Sequence, residues 1–246
     1  MESKQKAMIK QEYIEESEKL FNAWKNKSNS KSFVTDGIVD PDIWFGTELE
    51  YRVLIILREA YIKNGNPYDW DLTKWLKNEI CCSIENCPYA HNCSKCKVTG
   101  STYNRVAEWI YGIIEGKGYC SWLGIKDNER TTKAYRERRK EQFKKAAIIN
   151  IKKHDGISRS SAAELVDIAS DEKDGKYLKQ QIQDINPNII ICGGTKSCLD
   201  KLCENDSKFA NFIANLTVVD SPHPNAHKKA EEMFNDIYQQ LNTKGE

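Results

Sequence analysis

The chain has 246 residues, with 37 lysines and arginines against 36 aspartates and glutamates, a formal net charge of +1. That length holds one fairly large domain or two small ones. Its 39% apolar content is ample for a core, and the near-neutral balance excludes a polycation that coats nucleic acid by bulk charge alone.

Residues 8–27 are predicted to form a helix, with Ile9, Tyr13, Leu20, Phe21 and Trp24 at roughly helical spacing. A polar break follows at 28–32. The run RVLIIL at 52–57 is a predicted strand. A loop with Gly65 and Pro67 leads to a short helix near 71–79 and then to a cysteine-rich stretch. A helix with an apolar stripe is predicted at 102–115, ended by Gly116, and the charged run 126–145 also has helical character. Then strands and helices alternate: a strand at 146–151 (AAIINI), helices near 160–169 and 173–185, a strand at 188–192, a helix at 195–203, a strand at 216–220 and a last helix from 226 to 241. Strands separated by helices predict an α/β fold. It is a three-layer α/β/α arrangement around a central four-stranded parallel sheet, with an N-terminal helix and a Cys-rich insertion. One domain is expected to span 1–246, with 1–48 as a helical extension and 81–99 as the insertion. No run of about 18 apolar residues exists and the first ten residues lack an apolar signal core, so a cytoplasmic, membrane-free protein is expected.

Nine cysteines are more than such a chain needs, and five lie between Cys81 and Cys96. The pattern Cys82-x4-Cys87-Pro88-x4-Cys93-x2-Cys96 predicts a metal site, either a structural zinc or a [4Fe-4S] cluster, with Cys81 and His91 nearby. The alternative is a set of reduced, buried thiols. Four thiolates leave no open position for water, so the site is expected to brace the fold rather than catalyse. Cys120, Cys192, Cys198 and Cys203 read as structural.

In parallel sheets ligands bind beyond the carboxyl ends of the strands. There the sequence has Arg58-Glu59-Ala60-Tyr61 and Gly65-Asn66-Pro67-Tyr68, then Asn150, Lys152, Lys153 and His154, then Gly193-Gly194-Thr195, and lastly Ser221-Pro222-His223-Pro224-Asn225. A carboxylate, an amide, a glycine pair and a histidine on one edge make a candidate site. Each also has an ordinary reading: Glu59 as a loop carboxylate paired with Arg58, Asn150 as a loop-bonding amide, His223 as a rigid-loop histidine, Tyr68 as a core aromatic.

This ordered set resembles the uracil-DNA glycosylase superfamily, most closely its iron–sulfur branch. That branch follows its first strand with Gly-Glu-Ala-Pro-Gly, where this chain has Arg58-Glu59-Ala60-Tyr61, and then with Gly-x-Pro-Phe, where it has Gly65-Asn66-Pro67-Tyr68. The segment LKQQIQDINPNIIICGG and the pair His223-Pro224 also follow the family pattern, and the likeness covers about residues 50–242. The branch spreads its cluster cysteines differently, so the ligand set Cys82, Cys87, Cys93 and Cys96 is this chain's own. The resemblance implies a monofunctional DNA glycosylase that flips out a uracil-like or modified base and hydrolyses its N-glycosidic bond, in repair or in defence against phage DNA. It gives catalytic roles to Glu59, Asn150 and His223, and base contacts to Ala60, Tyr61, Tyr68 and Asn150. Around these, Lys152, Lys153, Arg159, Ser221, Asn225 and His227 are expected to meet DNA, single- or double-stranded, with the protein acting as a monomer. Tyr61, in place of the family's proline, alters the pocket wall and favours a bulkier base than uracil. Two other readings stay open: a non-catalytic nucleic-acid binder on the same fold, and a nucleotide-binding α/β protein with Gly193-Gly194-Thr195 at a helix start. Positive charge gathers at 126–145, 152–159 and 227–229, and acids at 12–18, 164–174 and 231–236, so the near-zero sum is read as two faces that cancel.

Overall fold

The computed structural model describes residues 2–28, 32–47, 49–59, 70–78, 101–116, 118–119, 122, 133–154, 160–204 and 206–242. Its centre is a five-stranded sheet in the order β2-β5-β3-β6-β7, formed by Gly37–Ile38 (β2), Val53–Glu59 (β3), Ala146–Lys152 (β5), Ile189–Gly193 (β6) and Thr217–Ser221 (β7). The four long strands run parallel, as predicted, with Val53 opposite both Ala146 and Ile189. The fifth strand, β2, is two residues long and antiparallel to β5. It is too short to carry a hydrophobic pattern. A separate ribbon pairs Val34–Thr35 (β1) with Trp70–Asp71 (β4).

Alternation along the strands makes three layers. Val53, Ile55 and Leu57 of β3 face one side, with Trp109, Ile110, Phe143 and Phe234 from helices Ser101–Glu115, Lys133–Lys144 and Ala230–Asn242. Leu54 and Ile56 face the other, with Trp24, Leu178, Ile182 and Leu199 from helices Glu2–Ser28, Asp174–Ile185 and Lys196–Glu204. A strand buried on both faces needs apolar residues at every position, which is why these strands read as unbroken runs.

The N-terminal helix is part of this second layer. Trp24 is buried, stacks on Tyr177 with ring centroids 5.4 Å apart and donates its indole N–H to Asp174 at 2.5 Å. Asn186 closes helix Asp174–Ile185 in the left-handed conformation (φ 49°), with Pro187 barring its continuation. Asn188 then accepts from the Arg52 N–H (2.7 Å) and donates to the Glu50 carbonyl (2.9 Å), which aligns the starts of β6 and β3.

Three boundaries differ from expectation. The first central strand runs on through Glu59, so this carboxylate belongs to the sheet rather than to the loop after it. The last helix begins at Ala230 rather than at 226, because residues 223–229 form a structured loop. A helix at Ser207–Ala214, capped by the Asp206 carboxylate on the Phe209 N–H (3.0 Å), was not predicted. Among the described residues no helix is long and apolar enough to cross a membrane.

Candidate functional site

The chain passes from β3 to β5 on one side and then crosses back to β6 and β7 on the other. Strand order therefore reverses beside β3, the kind of place where open parallel sheets hold ligands. A cleft of about 630 Å³ opens there, lined by Leu57, Arg58 and Glu59 from the end of β3, by Thr102 and Tyr103, by Ser160 and Ser161, and by His223, Asn225, Ala226 and His227 of one loop. Two of the predicted catalytic residues, Glu59 and His223, thus meet in one cavity.

Glu59 is fixed by a neighbour that sequence reading passed over. Both carboxylate oxygens accept from the Ser160 N–H (2.9 and 3.0 Å), and Oε2 also accepts from the Ser160 hydroxyl. Arg58 donates to the Ser160 carbonyl, so residues 58–59 grip the start of the segment leading into helix Ala162–Ser170.

His223 is held differently. Its Nδ1 accepts from the Asn225 N–H at 3.1 Å, which leaves the ring proton on Nε2 and makes that nitrogen a donor. Burial pushes its pKa down to about 4. The Arg58 cation pushes the same way and the Glu59 carboxylate opposes. The imidazole is therefore neutral across the physiological range. The loop lies directly on the glycine pair: a Cβ on Gly194 (φ +72°) would stand 3.1 Å from the His223 backbone N and Cβ, and one on Gly193 would stand 3.2 Å from Pro224. Gly194 donates to the Ser221 carbonyl at 2.7 Å. The glycines serve close backbone approach here.

Asn150 does not line the cleft. It is fully buried, and both its backbone N–H (2.8 Å) and its amide Nδ2 (3.1 Å) donate to Oδ2 of Asp36. The other Asp36 oxygen takes the Lys153 ammonium and Gln181 Nε2 (2.9 Å), and Gln181 also donates to the Asp36 carbonyl (3.0 Å). Among the described residues, Asn150 Oδ1 has no hydrogen-bond partner. Tyr103 links this network to the cleft: it lines the cavity, its ring meets Trp75 and Phe143 edge-on, and burial together with the Asp36 charge raises its pKa.

Several expected DNA contacts need correcting. Lys153 is turned inward, its ammonium wholly buried against Asp36 and 5.3 Å from the Trp24 ring centre, so it presents nothing to a phosphate. Ser221 is buried at the end of β7. Lys152 is paired with Glu164 at 2.6 Å. Within the basic run, Arg139 is buried and bonded to Asn104 (2.6 Å), Lys140 and Lys144 pair with Glu137 and Glu141 along their own helix, and Lys145 pairs with Glu115 of helix Ser101–Glu115. Asn225 and His227 are exposed at the cleft rim, where a polymer could reach them.

Ala60, Tyr61, Tyr68 and Arg159 lie outside the described residues, as do Cys82, Cys87, Cys93 and Cys96. Among the described residues there is no cluster of three or more metal-ligating side chains. Cys192 and Cys198 are buried single thiols, and burial pushes the Cys192 pKa up to about 12.

Of the residues that sequence reading missed, Ser160 and Tyr103 line the cleft and Asp36 sits behind it. An Asp just before a Gly reads as a turn, and nothing local announces partners more than a hundred residues away. The cleft thus offers a fixed carboxylate and a neutral N–H donor in one partly dry space, a pairing able to stabilise opposite charges that develop on two parts of a substrate. Compared with known proteins, the chain matches no protein-family model, no curated protein and no solved structure.

Proposed function

We propose that this cleft hydrolyses the N-glycosidic bond of a nucleotide flipped out of DNA, releasing a uracil-like or modified base and leaving an abasic site. The observation that carries the reading is the pairing of Glu59 with a neutral, Nε2-protonated His223 in one cleft at the strand ends. When that bond breaks, the sugar gains positive character and the base gains negative charge. Glu59, held by Ser160, supports the cation and orients the attacking water. His223 Nε2–H donates to a base oxygen as its charge grows. Loss of one such donor costs about 10²–10³ in turnover. The exposed rim residues Asn225 and His227 meet the flanking backbone. A base must leave the stack to enter, so single-stranded or mismatched DNA is the better substrate. The spacing of Cys82, Cys87, Cys93 and Cys96 is further read as holding a structural metal.

The test incubates the protein with uracil-containing DNA and with base-modified phage DNAs, then probes for alkali-labile sites. Wild type generates them on at least one DNA, while Glu59→Gln and His223→Ala lose turnover and keep binding. Absence of abasic sites on every DNA overturns the reading. One observation favours a second reading, a non-catalytic nucleic-acid binder: among the described residues the hydrogen bonds of the Glu59 carboxylate all come from Ser160, as a structural carboxylate's would. DNA binding without turnover in the same assay would select it.

A further inference from the structure

The loop that carries His223 is held by a side chain from another element. Arg105, in helix Ser101–Glu115, donates through Nη1 to the carbonyls of Pro224 and Ala226 and through Nη2 to that of Lys228 (2.8 Å), with Met233 Sδ 3.3 Å from Nη1. Three alternate carbonyls of one short loop converge on a single guanidinium. A loop takes that shape only if it curls around the cation. Its own bonds, Ala226 N–H to the His223 carbonyl (2.7 Å) and Lys228 N–H to the Ala226 carbonyl (2.8 Å), tighten the same curl. That curl also brings the Asn225 N–H to Nδ1 of His223. A planar fork of five donors suits this task, and a lysine's point charge does not.

We propose that Arg105 is the positioning residue of the cleft: by gathering the carbonyls of Pro224, Ala226 and Lys228 it locks His223 as the Nε2–H tautomer beside Glu59. The inference deepens the glycosylase reading, on which the catalytic use of that tautomer rests, but the lock itself is a property of the free protein. Arg105 acts through the loop and not by direct charge. Among the described residues, the charges that act on His223 are Arg58 and Glu59, both on β3.

The experiment is a pH titration of the imidazole nitrogens by ¹⁵N NMR on the full chain. The sequence has four histidines, and a His223→Gln spectrum assigns the signal. In wild type, His223 shows a bare Nδ1 and a protonated Nε2 down to about pH 5, since its midpoint lies near 4. In Arg105→Met the midpoint moves up by at least one pH unit and the two tautomers mix. Lys228→Met, which removes only the pairing of Lys228 with Asp236, keeps the wild-type titration. If Arg105→Met does not fold, Arg105→Lys carries the test and shifts the midpoint the same way by less. A folded Arg105 variant with wild-type His223 titration overturns the proposal. Kinetics separate the two claims: with an active wild type, Arg105→Met lowers kcat at least tenfold with little change in KM. An inactive wild type whose NMR behaves as described removes the glycosylase reading and leaves the positioning role in place.

Discussion

Replacing Asp36 by alanine should cost this protein a large share of its stability. Asp36 and Lys153 are both buried, and the lysine side chain has no exposed surface. Removing one member of a buried ion pair leaves a bare charge and costs about 3–5 kcal/mol. The same change strips the Asn150 N–H and the Gln181 amide of an acceptor, at about 1–3 kcal/mol for each buried donor left unsatisfied. These terms overlap, so about 5 kcal/mol is a fair total, against a native stability of about 5–15 kcal/mol. Urea unfolding followed by circular dichroism measures the loss. The decisive comparison is Asp36→Ala/Lys153→Met, which removes both charges. It should recover about 2 kcal/mol or more over Asp36→Ala, because no ammonium is then stranded. If Asp36→Ala costs under about 1 kcal/mol, or if the double variant is no more stable than the single, the pair is not the buried, mutually dependent unit described.

Other outcomes follow from the same geometry. His223 has a pKa near 4 in the folded chain and about 6.5 when unfolded, so between those values the unfolded state binds more protons. Its contribution is therefore full above pH 6.5 and is lost as pH falls toward 4. Stability measured across that window should fall with acid in wild type and less steeply in His223→Gln. Gly194→Ala forces a Cβ into left-handed backbone against the His223 loop, at about 1–2 kcal/mol, and should lower activity, while Gly46→Ala, with open space around it, should leave the thermal midpoint nearly unchanged. Metal analysis should find zinc, or visible absorbance of an iron–sulfur cluster, that is lost when Cys93 and Cys96 are changed to serine. Colourless, zinc-free protein would remove that expectation.

The sheet was legible because each central strand is apolar on both faces, and RVLIIL, AAIINI and NIIIC admit few other readings. Glu59 and His223 were legible for a related reason: they sit at strand ends, where topology alone brings them together. What failed was polarity near those ends. Lys153 and Ser221 look like surface residues in sequence, yet both are buried, Lys153 just past the end of β5 and Ser221 at the end of β7. Lys153 is buried against Asp36, 117 residues away in sequence, and no local periodic signal announces such a partner. The edge strand Gly37–Ile38 was invisible because two residues cannot show alternation. Asn150 was singled out as a base reader by its place near a strand end, and the structure instead turns it inward onto Asp36.

The network behind the cleft also bears on how the chain is made. Asp36 meets partners that lie 114, 117 and 145 residues further on. During synthesis at about 5–20 residues per second, Gln181 follows Asp36 by roughly 7–30 seconds. Until then the N-terminal segment has its carboxylate in water and its buried tryptophan, Trp24, without the Tyr177 ring it stacks on. Such long-range closure comes late and slowly. A nascent chain halted before helix Asp174–Ile185 should expose Trp24 and recruit chaperones. A buried residue made early thus waits for partners made more than a hundred residues later.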